Sequence, residues 1–220
     1  MKLIIKFLSI LVTLFIPFIL IMTAVRLILS PFFLELEYNL PNFPPDPYGF
    51  TTEERLKWGG LSWAYMVNSE PDDYLASLRF MDGTQIYNER ELSHMLDVRI
   101  VVKSSLTAWY IMLGLTLLLG MAAWKFGHLK GFWKSITWGG WLTLGVIFLV
   151  IISTFIDFSA LFTVFHGLFF EGDTWLFYES DTLIRLYPLK LWSDAFLYAG
   201  FITVIGALLC IFVPAKFARK

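Results

Sequence analysis

Cysteine, histidine and charge are all scarce in this chain. One cysteine, three histidines and 16% charged residues are spread over 220 positions. A lone thiol, Cys210, excludes a disulfide within the chain and argues against a cysteine-based metal centre. It lies in an apolar stretch and reads as a small side chain facing lipid or a neighbouring helix. Several signatures are missing altogether. There is no H-E-x-x-H pair, no phosphate-binding loop and no dinucleotide fingerprint. There is no G-x-S-x-G turn to present a nucleophilic serine. No internal repeat or low-complexity tract occurs. The net charge of −1 singles out no partner by itself, and no nucleic acid is expected among the partners.

Apolar and aromatic side chains fill the space these absences leave. The chain is 57% hydrophobic and 18% aromatic, with a mean hydropathy of +0.67. Soluble domains run at about 45–50% apolar. A helix rises about 1.5 Å per residue, so roughly 20 apolar residues cross the hydrocarbon core. Four stretches qualify: Leu3 to Leu29, Ser105 to Trp124, Ile136 to Ile156, and Ala195 to Val213. The first is longer than the apolar region of a signal peptide and no A-x-A-like site follows it, so it is expected to remain as a span. Pro17 inside it is tolerated where neighbours satisfy the freed carbonyl.

Charge gives the orientation. Lys2, Lys6, Lys125, Lys130, Lys134, Lys216, Arg219 and Lys220 fall on one side of this layout without a single acid. Every Asp and Glu falls on the other, from Glu35 to Asp97 and from Asp157 to Asp194. The excess of lysine and arginine marks the cytoplasmic face. The expectation is a multi-pass protein of the cytoplasmic (plasma) membrane with both termini in the cytoplasm. Residues 1–30 hold the first transmembrane helix and 31–104 an extracytoplasmic domain. Residues 105–156 hold the second and third helices with a cytoplasmic loop, 157–194 a second extracytoplasmic segment, and 195–220 the fourth helix and a cytoplasmic tail.

The outer segments carry local signals. The stretch PNFPPDPYGF cannot be helical, because proline removes donors and pushes its predecessor toward extended geometry. Thr51 with Glu54 makes a capping box at a helix start, and Asn88 with Glu91 makes another. RFMDGTQIY alternates around Asp82-Gly83 and predicts a short β-hairpin. The fold class expected is therefore an α-helical polytopic membrane protein, with four transmembrane helices and a small mixed α/β extracytoplasmic domain. The apolar run from Ile136 to Phe170 is too long for one straight crossing, so a break is expected near Asp157. The piece after it should be interfacial or re-entrant. Trp175, Tyr178, Tyr187 and Trp192 suit the headgroup zone. The glycine pair in TWGGW is explained by close helix packing.

Two of the three histidines draw attention. His128 sits among lysines and reads as a loop residue near headgroups. His94 and His166 lie in separate outer segments. On a helix, Glu91 and Asp97 share the face of His94, and a carboxylate on one ring nitrogen would fix the tautomer and raise its basicity. The base role stays open between the two histidines, with the acidic neighbours favouring His94. His166 stands among Phe162, Phe165, Phe169 and Phe170, and burial there favours the neutral imidazole. Such a pair could divide acid and base roles. His94, Asp97, His166 and Asp173 could alternatively ligate zinc. The residues alone leave open acid–base chemistry at the histidine pair, a metal-dependent membrane lipid or ester hydrolase, and a non-enzymatic membrane partner protein.

A resemblance selects among them. ELSHMLDVR and FHGLFFEGDTWLFYESDTLIRLYP resemble the two signature regions of the bacterial lipoprotein intramolecular transacylase family. The likeness is most specific at His94-x-x-Asp97-Val98, at Phe165-His166 with Phe169-Phe170, and at Asp173-x-Trp175. It implies an acyltransferase of the cell envelope acting on diacylglyceryl lipoproteins among membrane lipids. The sn-2 acyl chain would move to the α-amino group of the N-terminal cysteine, giving an N-acyl lyso-lipoprotein. It also implies His94 and His166 as the catalytic pair at the outer face. Asp97, Glu91, Asp173 and Trp175 would support them, with no metal or cofactor.

Overall fold

The structure is a computed structural model describing the backbone of residues 2–218 and the side chains of residues 3–214. Eight helices follow in order: α1 (Lys2–Ile28), α2 (Pro31–Tyr38), α3 (Thr52–Val67), α4 (Tyr74–Ser77), α5 (Glu89–Lys125), α6 (Leu129–Phe169), α7 (Thr182–Leu186) and α8 (Leu189–Ala218). Four of them, α1, α5, α6 and α8, are long and apolar enough to cross a membrane. The chain divides into two compact units, residues 1–26, 105–156 and 196–220, and residues 27–104 and 157–195.

Among the described residues, the first unit is built from stretches of the four long helices and the turn at 126–128. Glycine sets its closest approaches. A Cβ on Gly139 would stand 2.5 Å from Ile16 of α1, and one on Gly140 would stand 2.8 Å from the Ala207 carbonyl of α8. The TWGGW pair therefore lets α6 meet both neighbours at backbone distance, as small residues do in lipid. Cys210 lies against the same glycine. The Trp109 indole of α5 donates to the Ile19 carbonyl and to Thr23 Oγ1 of α1, each at 3.2 Å. Thr13 of α1 donates to the Ser135 carbonyl of α6 at 3.2 Å.

The second unit is built from short helices and loops around an aromatic core. Pro31 opens α2 at its first position, where its fixed φ suits a helix and its missing donor costs nothing. Thr51 and Glu54 form the reciprocal capping box of α3. Trp63, Tyr65 and Tyr87 are almost fully buried. The proline-rich stretch is pinned where Asp46 takes two hydrogen bonds from Arg185, at 2.9 and 3.1 Å.

Two expectations fail here. The domain is not mixed α/β, because no strand forms among the described residues. Around Asp82-Gly83 there is a tight turn with Gly83 at φ 84° and a single antiparallel bridge, Arg79 to Gln85. The ladder ends where the Ile86 amide donates to the Leu78 carbonyl at 3.4 Å. Ile86 and Tyr87 turn into the core at 2% and 1% exposure, and Asn88 already starts α5. Tyr187 is likewise not a headgroup anchor. It is buried, its hydroxyl donates to the Gly59 carbonyl at 2.7 Å, and its ring stacks on Trp63.

The break in α6 falls at Asp157. Its backbone is extended, at φ −157° and ψ 94°, and its carboxylate accepts from the Ala160 amide at 3.0 Å. Asp157 thus ends one helix and caps the next.

Candidate active site

His94 and His166 both belong to the second unit, and their rings come together. His94 projects from the first turns of α5 and His166 from the last turns of α6. Their centroids are 6.2 Å apart with planes 24° from parallel. Both are buried, at 8% and 9% exposure. The shell around them is aromatic. Phe170 and Phe177 meet His94 edge-on at 4.9 and 5.3 Å. Phe162 and Trp175 pack on His166 at 4.0 and 4.7 Å.

The two rings differ in their nitrogens. Nδ1 of His166 lies 2.8 Å from the Phe162 carbonyl, one turn back on its own helix. A carbonyl only accepts, so Nδ1 carries the proton and Nε2 offers a lone pair. His94 has no such tether, since its buried Nδ1 lacks a hydrogen-bond partner. Desolvation in an aromatic shell disfavours a charged ring.

The expected support for His94 takes another form. Glu91 does not reach the imidazole. Its carboxylate closes the capping box on the Asn88 amide at 2.8 Å and accepts from the Leu183 amide at 2.6 Å. Two backbone donors outcompete a ring one turn away, because an unpaired buried amide is costly. Asp97 is half-buried one turn beyond His94 and forms no hydrogen bond with it. The argument for His94 as base from its acidic neighbours therefore falls. Asp173 is exposed, and it contributes its backbone: Arg90 donates to its carbonyl at 2.6 Å and stands 3.9 Å from its carboxylate. Trp175 is at the site, with an indole N–H that is buried and unpartnered.

No group of three or more His, Cys, Asp and Glu side chains converges to hold a metal among the described residues. The zinc set of His94, Asp97, His166 and Asp173 is not assembled, since Asp173 points to solvent and Asp97 does not join the pair.

Some contributors carried no signal in the sequence. Phe177 shields His94, and Arg90 holds the loop that delivers Phe177 and Trp175. That loop leaves α6 through Gly172, at φ 60°, where a side chain would be strained. Asn88 reaches Asp181 at 3.2 Å and Thr182 donates to the Ile86 carbonyl at 2.6 Å. These bonds join the base of α5 to residues 181–183, a pairing that no local spacing predicts.

Comparison with known proteins adds the following. A family model described as lipoprotein intramolecular transacylase Lit matches residues 10–192. An uncharacterised protein of Aquifex aeolicus (strain VF5) is 30% identical over 207 residues, which cover 94% of this chain and 93% of that one. The in meso structure of the membrane integral lipoprotein intramolecular transacylase of Bacillus cereus aligns with a TM-score of 0.84 at 19% identity, covering 100% of this chain and 98% of that one. A histidine-to-alanine variant of the same protein aligns at 0.75 and 18%, covering 100% and 96%. Those structures share the helical, membrane-integral fold.

Proposed function

Because the chain belongs to the lipoprotein intramolecular transacylase family, and is thereby a membrane acyltransferase, we propose that it moves the sn-2 acyl chain of a diacylglyceryl lipoprotein to the α-amino group of the N-terminal cysteine. The product is an N-acyl lyso-lipoprotein. The observation that carries the reading is the histidine pair, in which the Phe162 carbonyl holds His166 with Nε2 as acceptor.

The neutral α-amine attacks the ester carbonyl of its own glyceryl group and gives its proton to Nε2 of His166. The C–N bond forms and the carbonyl oxygen becomes an oxyanion. The indole N–H of Trp175 is an uncommitted donor beside the pair and is assigned to stabilise it. The carbonyl re-forms as the C–O bond to glycerol breaks, and the leaving alkoxide takes the proton back from the imidazolium. His94 hydrogen-bonds the leaving oxygen. Amine hydrogen has become hydroxyl hydrogen, and no water, metal or carrier enters the balance. Nucleophile and ester share one molecule, so the protein supplies mainly a near-attack geometry and exclusion of water. The absence of any acid beside Lys2, Lys6, Lys125, Lys130 and Lys134 supports an active site at the outer face of the cytoplasmic membrane, with both termini in the cytoplasm.

The test is mass spectrometry of a synthetic diacylglyceryl lipopeptide incubated with purified protein, with fragmentation locating each chain. Relocation to the amine at unchanged total mass is expected. His166→Ala and His94→Ala should each lower the rate by about 100-fold or more. Loss of one acyl mass would mean hydrolysis, and full activity in both folded variants would remove the histidines from the scheme.

A further inference from the structure

The first unit carries a groove of about 790 Å³ between α1 and α6 that acyl transfer at the histidines does not use. Its lining has an ordered polarity. On α1, Lys6 precedes Ile10 and Leu14 by one and two turns, so the three form a stripe on one face. On α6, Lys134 precedes Trp138 and Trp141 in the same way. Each stripe therefore begins with an ammonium and continues with apolar side chains. No carboxylate lines the groove, and neither lysine has an ion-pair or hydrogen-bond partner among the described residues. The apolar walls are uncovered: Ile10 is 50% exposed, Leu14 57%, Trp138 58% and Trp141 53%.

That pattern matches one class of molecule. A soluble anion would gain nothing from the apolar walls. A zwitterionic lipid would bring its own cation to two lysines. An anionic phospholipid matches both ends, and basic grooves between spanning helices bind such headgroups. The volume lies within the usual range for a ligand site, about 300–1,000 Å³, and takes a headgroup with the upper part of an acyl chain.

We propose that this groove binds one anionic phospholipid, with the phosphodiester between Lys6 and Lys134 and a chain along Ile10, Leu14, Trp138 and Trp141. The site concerns a resident lipid and is separate from the lipoprotein substrate, so it stands whether or not the transacylase scheme above survives.

Native mass spectrometry tests it. Protein purified in a non-ionic detergent is mixed with equimolar dioleoyl phosphatidylglycerol and dioleoyl phosphatidylcholine, and lipids retained after detergent removal are counted. One phosphatidylglycerol per chain is expected, retained about fivefold or more over phosphatidylcholine by headgroup attraction. The double variant Lys6→Gln, Lys134→Gln should lose that preference, each single variant should weaken it, and Lys125→Gln, outside the groove, should keep it. Circular dichroism confirms that each variant is folded. Equal retention of the two lipids, no retention, undiminished preference in the double variant, or equal loss in Lys125→Gln would each overturn the site. The last would assign the preference to diffuse basic charge.

Discussion

At the histidines, which nitrogen is committed decides which chemistry is open. The carbonyl of Phe162 ties one edge of His166 and leaves the other as acceptor, a device that needs no acid nearby. Trp175 offers the complementary donor. Trp175→Phe keeps an aromatic ring on His166 and deletes the N–H. We expect activity in the lipopeptide assay to fall by about 100- to 1,000-fold. The thermal midpoint should change little, since this donor has no partner in the resting structure to lose. Glu37 is a different kind of polar residue. It is fully buried on α2. Burial first, and then the neighbouring Asp194 carboxylate, push its pKa from 4.5 up to about 8. A raised acid pKa means the folded state holds the proton longer than the unfolded one, so stability falls as pH rises between these values. The thermal midpoint in detergent should therefore decline from about pH 5 to about pH 8, and Glu37→Gln should flatten that slope. An unchanged slope in the variant would remove Glu37 as its source.

Among the elements, those governed by local rules were legible and those governed by tertiary competition were not. Thr51 with Glu54, Asn88 with Glu91, and the break at Asp157 all appear as expected, because caps are satisfied within a few residues. The four apolar helices were legible for the same reason, since length and hydropathy are properties of the segment itself. The hairpin was not. Its alternation is real, but pairing stops at the Ile86 amide, which donates to the Leu78 carbonyl, and Tyr87 is buried in the core just before α5 starts. Nor was the service of Glu91 to the Leu183 amide, 92 positions away. The histidine pair sits between these cases. Both residues were visible as candidates, while their 6.2 Å approach and the tautomer of His166 required the fold. The glycine pair of α6 was read for what it is, and it invites a sharp test. Gly140→Ala places a methyl 2.8 Å from the Ala207 carbonyl, where backbone must yield. A loss of about 1–3 kcal/mol is expected, visible as a lower thermal midpoint with the helical circular dichroism spectrum retained.

For the molecule as a whole, the confinement of every carboxylate to one side of the layout is the basis of the proposed direction across the membrane. In a Cys210→Ser background, Asp82→Cys should react with a membrane-impermeant maleimide added to intact cells. Lys130→Cys should react only after permeabilisation. The reverse pattern would invert the topology and put the histidines on the cytoplasmic side. The closed shell around those histidines has a kinetic meaning. Only 8% and 9% of the two residues are open to the surroundings, with Phe170, Trp175 and Phe177 packed against the pair, so the proposed diacyl substrate would need these rings to part. The loop bearing Trp175 and Phe177 is held by Arg90 through one carbonyl and one exposed carboxylate. On the proposed reaction, a turnover would include release of that contact. Lid opening of that kind sets kcat in many enzymes, and a reaction that needs no second substrate would still keep time by a hinge.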